Sequence, residues 1–203
     1  MTKAIRIHEY GGPDVLRYED VEIGAPGPGE VRLTQEAIGV NFIDIYHRTG
    51  LYALDSFPAV LGMEGAGTIE AVGEGVSHLT PGDRVAYASR PSGAYAEARM
   101  MPADRPVKLP DGITARQGAA MMLQGLTVQM LLRQVYRVKE GDVILFHAAA
   151  GGVGTIACQW AKHLGATVIG TVGSPEKAEI ARAHGCDHPI LYRDEDFVAR
   201  VRE

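Results

Sequence analysis

The sequence predicts a two-part α/β chain: a β-rich domain over residues 1–113, then, over residues 114–203, the first half of a doubly wound parallel α/β sheet. Three observations predict it. Up to about residue 110, Gly, Pro and Asp punctuate the chain every eight to twelve residues or so, the spacing of a compact all-β unit. At Thr114 the hydrophobic period becomes helical. Beyond Gly141 an apolar strand, a glycine-rich turn and an amphipathic helix follow one another, which is the opening unit of a parallel sheet.

Each element has its own signal. Met1 to His8 alternates polar and apolar residues and lacks the continuous apolar stretch of a secretory signal. Turns at Gly11-Gly12-Pro13-Asp14, residues 24–29, Gly73-Glu74-Gly75 and Pro81-Gly82-Asp83 separate short strands such as Val31-Arg32-Leu33-Thr34 and Gly67-Thr68-Ile69-Glu70-Ala71-Val72. Residues 41–48 break that rhythm, because Ile38, Phe42, Ile45 and Tyr46 suit a short helical turn. Thr114 and Gln117 have the form of a capping box, opening a helix that passes Ala119 and Met122 and runs to Val135. Val143-Ile144-Leu145-Phe146 is the continuous apolar run of a parallel strand buried on both faces. Val153, Ile156, Ala157, Trp160 and Leu164 recur at helical spacing, with Gly165 placed to end that helix in left-handed geometry. Residues 166–172 supply a second strand, Ser174-Pro175 start a helix reaching about His184, and Pro189-Ile190-Leu191-Tyr192 give a third strand. The final residues open another amphipathic helix. Three strands make one mononucleotide-binding half of a dinucleotide fold, so the sequence reads as a fragment or as an unusually reduced protein.

Composition narrows the function. With 203 residues, 46% hydrophobic and 22% charged, the chain is long and apolar enough to fold around a core, which excludes a disordered tail. Its 25 Gly and 11 Pro carry no repeat, pointing to tight turns and loop-built sites. A net charge of −5 with scattered Lys and Arg leaves no basic stripe for phosphodiesters, so nucleic acid is not expected as a main partner. Two cysteines, Cys158 and Cys186, make no disulfide framework, and no run approaches the roughly 18 apolar residues of a membrane span. The reading is cytoplasmic, with no membrane partner.

The chemistry gathers at Ala148-Ala149-Ala150-Gly151-Gly152-Val153-Gly154. Set against the dinucleotide fingerprint, Ala149, Gly151 and Gly154 take the three glycine places: tight turn, backbone approach to the pyrophosphate, and close helix-to-strand contact. The following helix start, with Gly152 and Val153, offers free N–H groups and partial positive charge to a pyrophosphate. A packing turn is the bland alternative; strand before and helix after favour the nucleotide. Where NAD enzymes carry a carboxylate for the ribose 2′-hydroxyl, this chain has Gly173. Ser174 and Lys177 beyond it offer a hydroxyl and an ammonium to a 2′-phosphate, so NADPH is the expected cofactor. Taken singly, Ser174 reads as an N-cap and Lys177 as a solvated face residue. Tyr192, at the end of the third strand, either lies against the adenosine ribose phosphate or simply packs.

Four stretches now point one way: Gly39-Val40-Asn41-Phe42-Ile43-Asp44-Ile45-Tyr46, Pro58-Ala59-Val60-Leu61-Gly62-Met63-Glu64-Gly65-Ala66-Gly67, Leu123-Gln124-Gly125-Leu126-Thr127, and residues 147–154. Together they closely resemble the zinc-independent quinone oxidoreductases, the zeta-crystallin-like branch of the medium-chain dehydrogenase/reductase superfamily, along the whole chain. The resemblance implies a GroES-like N-terminal domain, a Rossmann cofactor domain that continues past this sequence, reduction of a small-molecule quinone by NADPH, and a homodimer in the full-length form. The zinc alcohol dehydrogenases of that superfamily hold their catalytic metal with a Cys in the first stretch and a His in the second. Asn41 and Met63 stand there instead, and neither an amide nor a thioether is a good Zn²⁺ ligand. Glu64 alone makes no metal site, and the turn from helix to strand accounts for His184-Gly185-Cys186-Asp187-His188. The resemblance further implies that Asn41, Tyr46 and Tyr52 line the cleft between the domains, Asn41 also meeting the cofactor. Gln124, Gly125 and Thr127 resemble the family's contacts to the nicotinamide ribose and amide. Spacing alone reads Tyr46 as core, Asn41 as a cap and the other three as helix contacts. Asp44 reads as structural or as a hydrogen-bonding pocket residue. Two other functions fit the same branch: reduction of activated C=C bonds in enals, enones or enoyl thioesters, and a non-catalytic cofactor-binding or structural role.

Overall fold

A computed structural model describes residues 1–202. The chain divides into two compact units, Met1–Leu123 and Gln124–Glu203. The first unit reaches past residue 113 because the helix opened by Thr114 seats Ala115 and Ala119 against Ala66 and Ala86 of the β-rich core. Small side chains there let helix and sheet approach closely.

In the first unit β1 (Thr2–Ile7), β2 (Arg17–Val21) and a short β4 (Ala59–Val60) form an antiparallel sheet ordered β2-β1-β4. A five-stranded sheet, β7-β3-β5-β6-β8, combines β3 (Glu30–Gly39), β5 (Glu64–Val72), β6 (Arg84–Ala88), β7 (Ala98–Pro102) and β8 (Val107–Lys108). The pairing of β3 with β5 runs from Val31 opposite Val72 to Gly39 opposite Glu64, with register breaks at Arg32/Leu33 and Gln35/Ala37. Such bulges bend and twist a strand. They curl this sheet around Val31, Leu33, Ile69, Val85, Tyr87 and Met101, all buried. Helix α1 (Phe42–Thr49) leaves the end of β3, as the spacing of residues 41–48 predicts, and stops at Gly50 in the left-handed region (φ 82°).

Helix α2 (Ala115–Gln129) spans the boundary of the units. The single helix expected to reach Val135 is α-helical only to Gln129 and widens into a π-helical stretch over Met130–Val135. The second unit then reads β9 (Val143–His147), α3 (Gly152–His163), β10 (Thr167–Val172), α4 (Pro175–Ala183), β11 (His188–Leu191) and α5 (Phe197–Arg202). Its three strands are parallel in the order β11-β10-β9, with Ile169 opposite both Leu145 and His188. Gly165 ends α3 with φ 84°, as expected.

One expectation fails here. Strand β9 is not buried on both faces: Ile144 and Phe146 pack on the core, but Val143 is 65% exposed and Leu145 39%. Helices α3 and α4 touch each other and cover one face of the sheet. On the face of Val143 and Leu145, Phe197 of α5 meets His147 edge to face (5.6 Å), while Val128 and Leu132 from the helix before β9 join the core of this unit. An apolar run marks a strand with a use for both faces; it does not say that this segment supplies both covers.

Candidate functional site

In the second unit the backbone itself builds the first half of the site. After β9, Ala148 takes a positive φ of 54°, Gly151 donates its N–H to the Ala148 carbonyl (2.8 Å), and Ala149 donates to Thr171 (3.1 Å). The turn is thereby closed on itself and tied to β10. A side chain on Gly154 would overlap the Ala148 carbonyl oxygen and come within 2.7 Å of the Ala149 backbone, so this glycine allows the helix to press on the turn. Gly151 is less crowded: a Cβ there would press on the Ala148 carbonyl oxygen at 3.1 Å and touch the Ala148 Cβ at 3.9 Å. Its missing side chain also leaves the mouth of the turn open to an occupant.

That space is a cavity of about 480 Å³ lined by Gly151, Gly173, Lys177 and Tyr192 of the predicted set and, beyond it, by His147, Ala148, Ala150, Thr171, Val172 and Phe197, while the predicted Ala149 is buried behind it. Its wall holds an ammonium and no carboxylate. Gly173 is small for a reason: a Cβ would lie 2.9 Å from the Tyr192 hydroxyl. Glycine therefore brings that phenol to the strand end beside Lys177. Ser174, adjacent, is the N-cap of α4, accepting from the Lys177 N–H (3.4 Å). It also holds the Glu176 carboxyl below its ordinary range by hydrogen bonding to it. These features suit a phosphorylated adenosine ribose: backbone N–H groups at a helix start for the pyrophosphate, and a cation for a further phosphate. Gln124 belongs to the same unit; its side chain stands 2.8 Å from where a Gly152 Cβ would be. Gly125 faces open space on α2, and Thr127 lies one turn on from Gln124.

In the first unit the predicted residues fall into two groups. Asn41 sits at the N-cap of α1, its N–H donating to Asp44 Oδ2 (2.9 Å), which also accepts from Tyr95 (2.8 Å). Its amide Nδ2 donates to Glu64 Oε2 (2.7 Å), whose other oxygen accepts the Leu123 N–H (2.8 Å). Glu64 is 1% exposed. Burial pushes its pKa up, against the pull of Asn41 and the α2 backbone, while burial and Asp44 push the Tyr95 phenol up. A side chain on Gly39 would collide with the Glu64 carboxylate and the Ala119 carbonyl, so glycine cuts the slot in which Glu64 lies. Nδ2 donates to Glu64, and the amide's acceptor, Oδ1, faces the Asp44 N–H in the capping box that opens α1. Asn41, Asp44 and Tyr95 line an apolar cavity of about 700 Å³.

Tyr46 and Tyr52 do not line that cavity. They join edge to face (5.3 Å) in an aromatic cluster with Phe42 on one side (5.7 Å from Tyr46) and His47 on the other (6.1 Å from Tyr52). Glu64 and Tyr95 are the functional candidates that sequence reasoning missed here. A lone carboxylate inside Leu61-Gly62-Met63-Glu64-Gly65-Ala66-Gly67, otherwise wholly apolar, was the available signal for Glu64.

The donor set offers little to zinc. Asn41 offers only a neutral amide oxygen and Met63 only a buried thioether, neither a good Zn²⁺ ligand. At the other candidate, His184 Nδ1 bonds the Ile180 carbonyl (2.8 Å) and the buried Cys186 thiol bonds Val168 (3.6 Å), closing helix and sheet. Among the described residues no three His, Cys, Asp or Glu side chains converge, and no helix is long and apolar enough to cross a membrane.

Comparison with known proteins gives matching results. The family described as Alcohol dehydrogenase GroES-like domain matches residues 27–111, and Zinc-binding dehydrogenase matches residues 152–203. A quinone oxidoreductase of Pseudomonas aeruginosa is 55% identical over 203 residues, all of this chain and 62% of that protein. A 2-haloacrylate reductase of a Burkholderia species is 49% identical, again across the whole chain and 62% of the relative. The crystal structure of Escherichia coli quinone oxidoreductase complexed with NADPH superimposes with a TM-score of 0.94 at 48% identity, covering 98% of this chain and 61% of that one. The chain thus spans under two thirds of the length of the relatives it matches.

Proposed function

We propose that the chain belongs to the quinone-oxidoreductase branch of the medium-chain dehydrogenase/reductase superfamily, which its similarity to those proteins supports, and that it is part of a cytoplasmic, metal-independent enzyme that reduces quinones with NADPH. The observation that carries the proposal is the cavity at the ends of β9 and β10, where Gly151 leaves room, Lys177 supplies a cation, and Gly173 replaces a carboxylate. NADPH bound there supplies a hydride from its nicotinamide. The chain's own residues position and neutralise. The N–H groups opening α3 face the pyrophosphate, Lys177 and Tyr192 take the 2′-phosphate, and Gln124, Gly125 and Thr127 meet the nicotinamide ribose and amide. Asn41, held by Glu64, presents Oδ1 as an acceptor to the carboxamide or the substrate, and the rings of Tyr46 and Tyr52 stack on the quinone. A quinone accepts hydride readily, so this chemistry needs no Lewis acid, in keeping with Asn41 and Met63 at the metal-ligand places. A homodimer of the full-length form belongs to the same proposal. Reduction of an activated C=C bond is the second reading, favoured by the 49% identity to a 2-haloacrylate reductase.

The test is NADPH oxidation with 1,4-benzoquinone, followed at the nicotinamide absorbance, in the full-length protein and in Lys177→Ala. Turnover is expected, with Lys177→Ala weakening NADPH by about 1–3 kcal/mol and leaving NADH nearly unchanged. Equal weakening of both cofactors would sink the 2′-phosphate assignment; absence of turnover with any quinone would sink the activity.

A further inference from the structure

A second cavity of the first unit, an open groove of about 450 Å³, lies beside the Tyr46–Tyr52 pair and is used by none of the roles above. Its two buried lining residues are His47 and Met63. His47 is 2% exposed, and its Nδ1 is buried without a hydrogen-bond partner. Burial and the nearby Arg90 guanidinium push the His47 pKa down, so at neutral pH the imidazole is uncharged, and it remains a polar group in want of a partner. Arg90 stands exposed on the rim, and among the described residues no carboxylate forms an ion pair with it. The other rim cation, Arg105, is paired with Asp104 (3.3 Å); Asp55 also faces the groove. Ala59, Val60 and the Met63 thioether form a short apolar stretch of wall, with the hydroxyl side chains of Ser56 and Ser92 elsewhere on the lining.

An uncommitted guanidinium, a buried neutral imidazole and a short apolar wall are the complement of a small organic acid. A carboxylate pairs with the guanidinium fork in a charge-assisted contact, and its carbon skeleton covers the wall. The His47 ring lies 6.1 Å from Tyr52, so an acid anchored here has its carbon skeleton next to the aromatic cluster assigned to the acceptor. We propose that the groove between His47 and Arg90 is a carboxylate subsite, which makes small α,β-unsaturated carboxylic acids substrates alongside quinones. This rests on the reading of the site as an NADPH-dependent reductase. The reaction balances as a hydride added to the β-carbon, the C=C π bond broken with its electron pair left on the α-carbon, and a proton taken there from water; the nicotinamide is oxidised by two electrons.

Steady-state kinetics with 2-chloroacrylate and with 1,4-benzoquinone, on the full-length wild type, Arg90→Gln and Arg90→Lys, tests the subsite, with calorimetric titration of 2-chloroacrylate as a readout independent of turnover. Arg90→Gln should raise KM for 2-chloroacrylate about tenfold more than KM for benzoquinone, with kcat little changed, and Arg90→Lys should recover part of the loss. Calorimetry should show the same tenfold weakening. Equal shifts for both substrates, or unchanged acid binding in Arg90→Gln, would overturn the subsite. If neither substrate is turned over, the reductase reading fails, and calorimetry alone decides whether the groove binds the acid.

Discussion

Asn41 owes its orientation to Glu64, and Glu64 owes its place to Gly39. The carboxylate lies in a slot that only glycine leaves open, accepts from Asn41 at 2.7 Å and from the α2 backbone at 2.8 Å, and is shielded from solvent. Replacing it with leucine removes the acceptor of a buried amide, which costs about 1–3 kcal/mol for the group left unsatisfied. Glu64→Gln keeps one acceptor oxygen and should lose less; urea unfolding midpoints compare the two. The pH dependence has a definite sign. Burial raises the folded pKa of Glu64 above its ordinary value of 4.5, so the folded chain holds this proton more tightly than the unfolded one. Its contribution to stability is fully present below about pH 4.5 and is lost as pH rises through the raised value. The stability of wild type relative to Glu64→Gln should therefore fall as pH is raised from 4 to 8 or so, and a difference that rises instead would contradict the assignment. Asn41 was legible from its motif. Glu64 was not, because its partners lie 23 and 59 positions away in sequence and no local pattern signals them.

Among the elements, strand, turn and helix at β9–α3 were the most legible, since hydrophobic period and glycine spacing act over a few residues. The two glycines of that turn nevertheless do different work. Gly154 is demanded by the fold: a methyl group there meets the Ala148 and Ala149 backbone, which cannot give way as a flexible side chain could. Gly154→Ala should cost about 1–3 kcal/mol of overpacking strain, seen as a lower unfolding midpoint. Gly151 has ordinary backbone angles (φ −83°, ψ 174°), and a methyl there presses on one carbonyl oxygen alone (3.1 Å), so Gly151→Ala should cost less than Gly154→Ala, about 1 kcal/mol or below. Its methyl would also occupy cofactor space, and NADPH affinity should drop about tenfold or more. Equal effects of the two variants on unfolding would show that the turn is purely structural. Less legible was the tail of α2. Leu131, Leu132 and Val135 continue the apolar run, and whether such a run stays α-helical or widens at Met130 depends on tertiary contacts rather than on its own spacing.

For the molecule as a whole, the exposed face of the parallel sheet matters most. Sequence reasoning found three strands where a dinucleotide fold uses six, and the chain spans 62% of the length of its curated relatives. The apolar run Val143-Ile144-Leu145-Phe146 predicts burial on both sides, which depends on what covers each face of the sheet and not on the run alone. In the second unit Val143 and Leu145 stand exposed on one face, and among the described strands β9 is paired on one side alone. A parallel edge with free N–H and C=O groups beside exposed branched side chains is a template for another strand. The 203-residue chain prepared by itself should therefore self-associate at micromolar concentration and bind a hydrophobic dye. Val143→Thr with Leu145→Lys should shift it toward monomer, because polar groups on that face raise the cost of covering it while Ile144 and Phe146 keep the core. The cavity beside Lys177 is built within this unit, so the same chain should still bind adenosine 2′,5′-bisphosphate, weakly, with hydride transfer slow or absent. Sedimentation velocity across a concentration series reads the association. A wild-type chain that stays monomeric and dye-free, with full quinone reduction, would mean that the exposed face is tolerated and that the first three strands suffice.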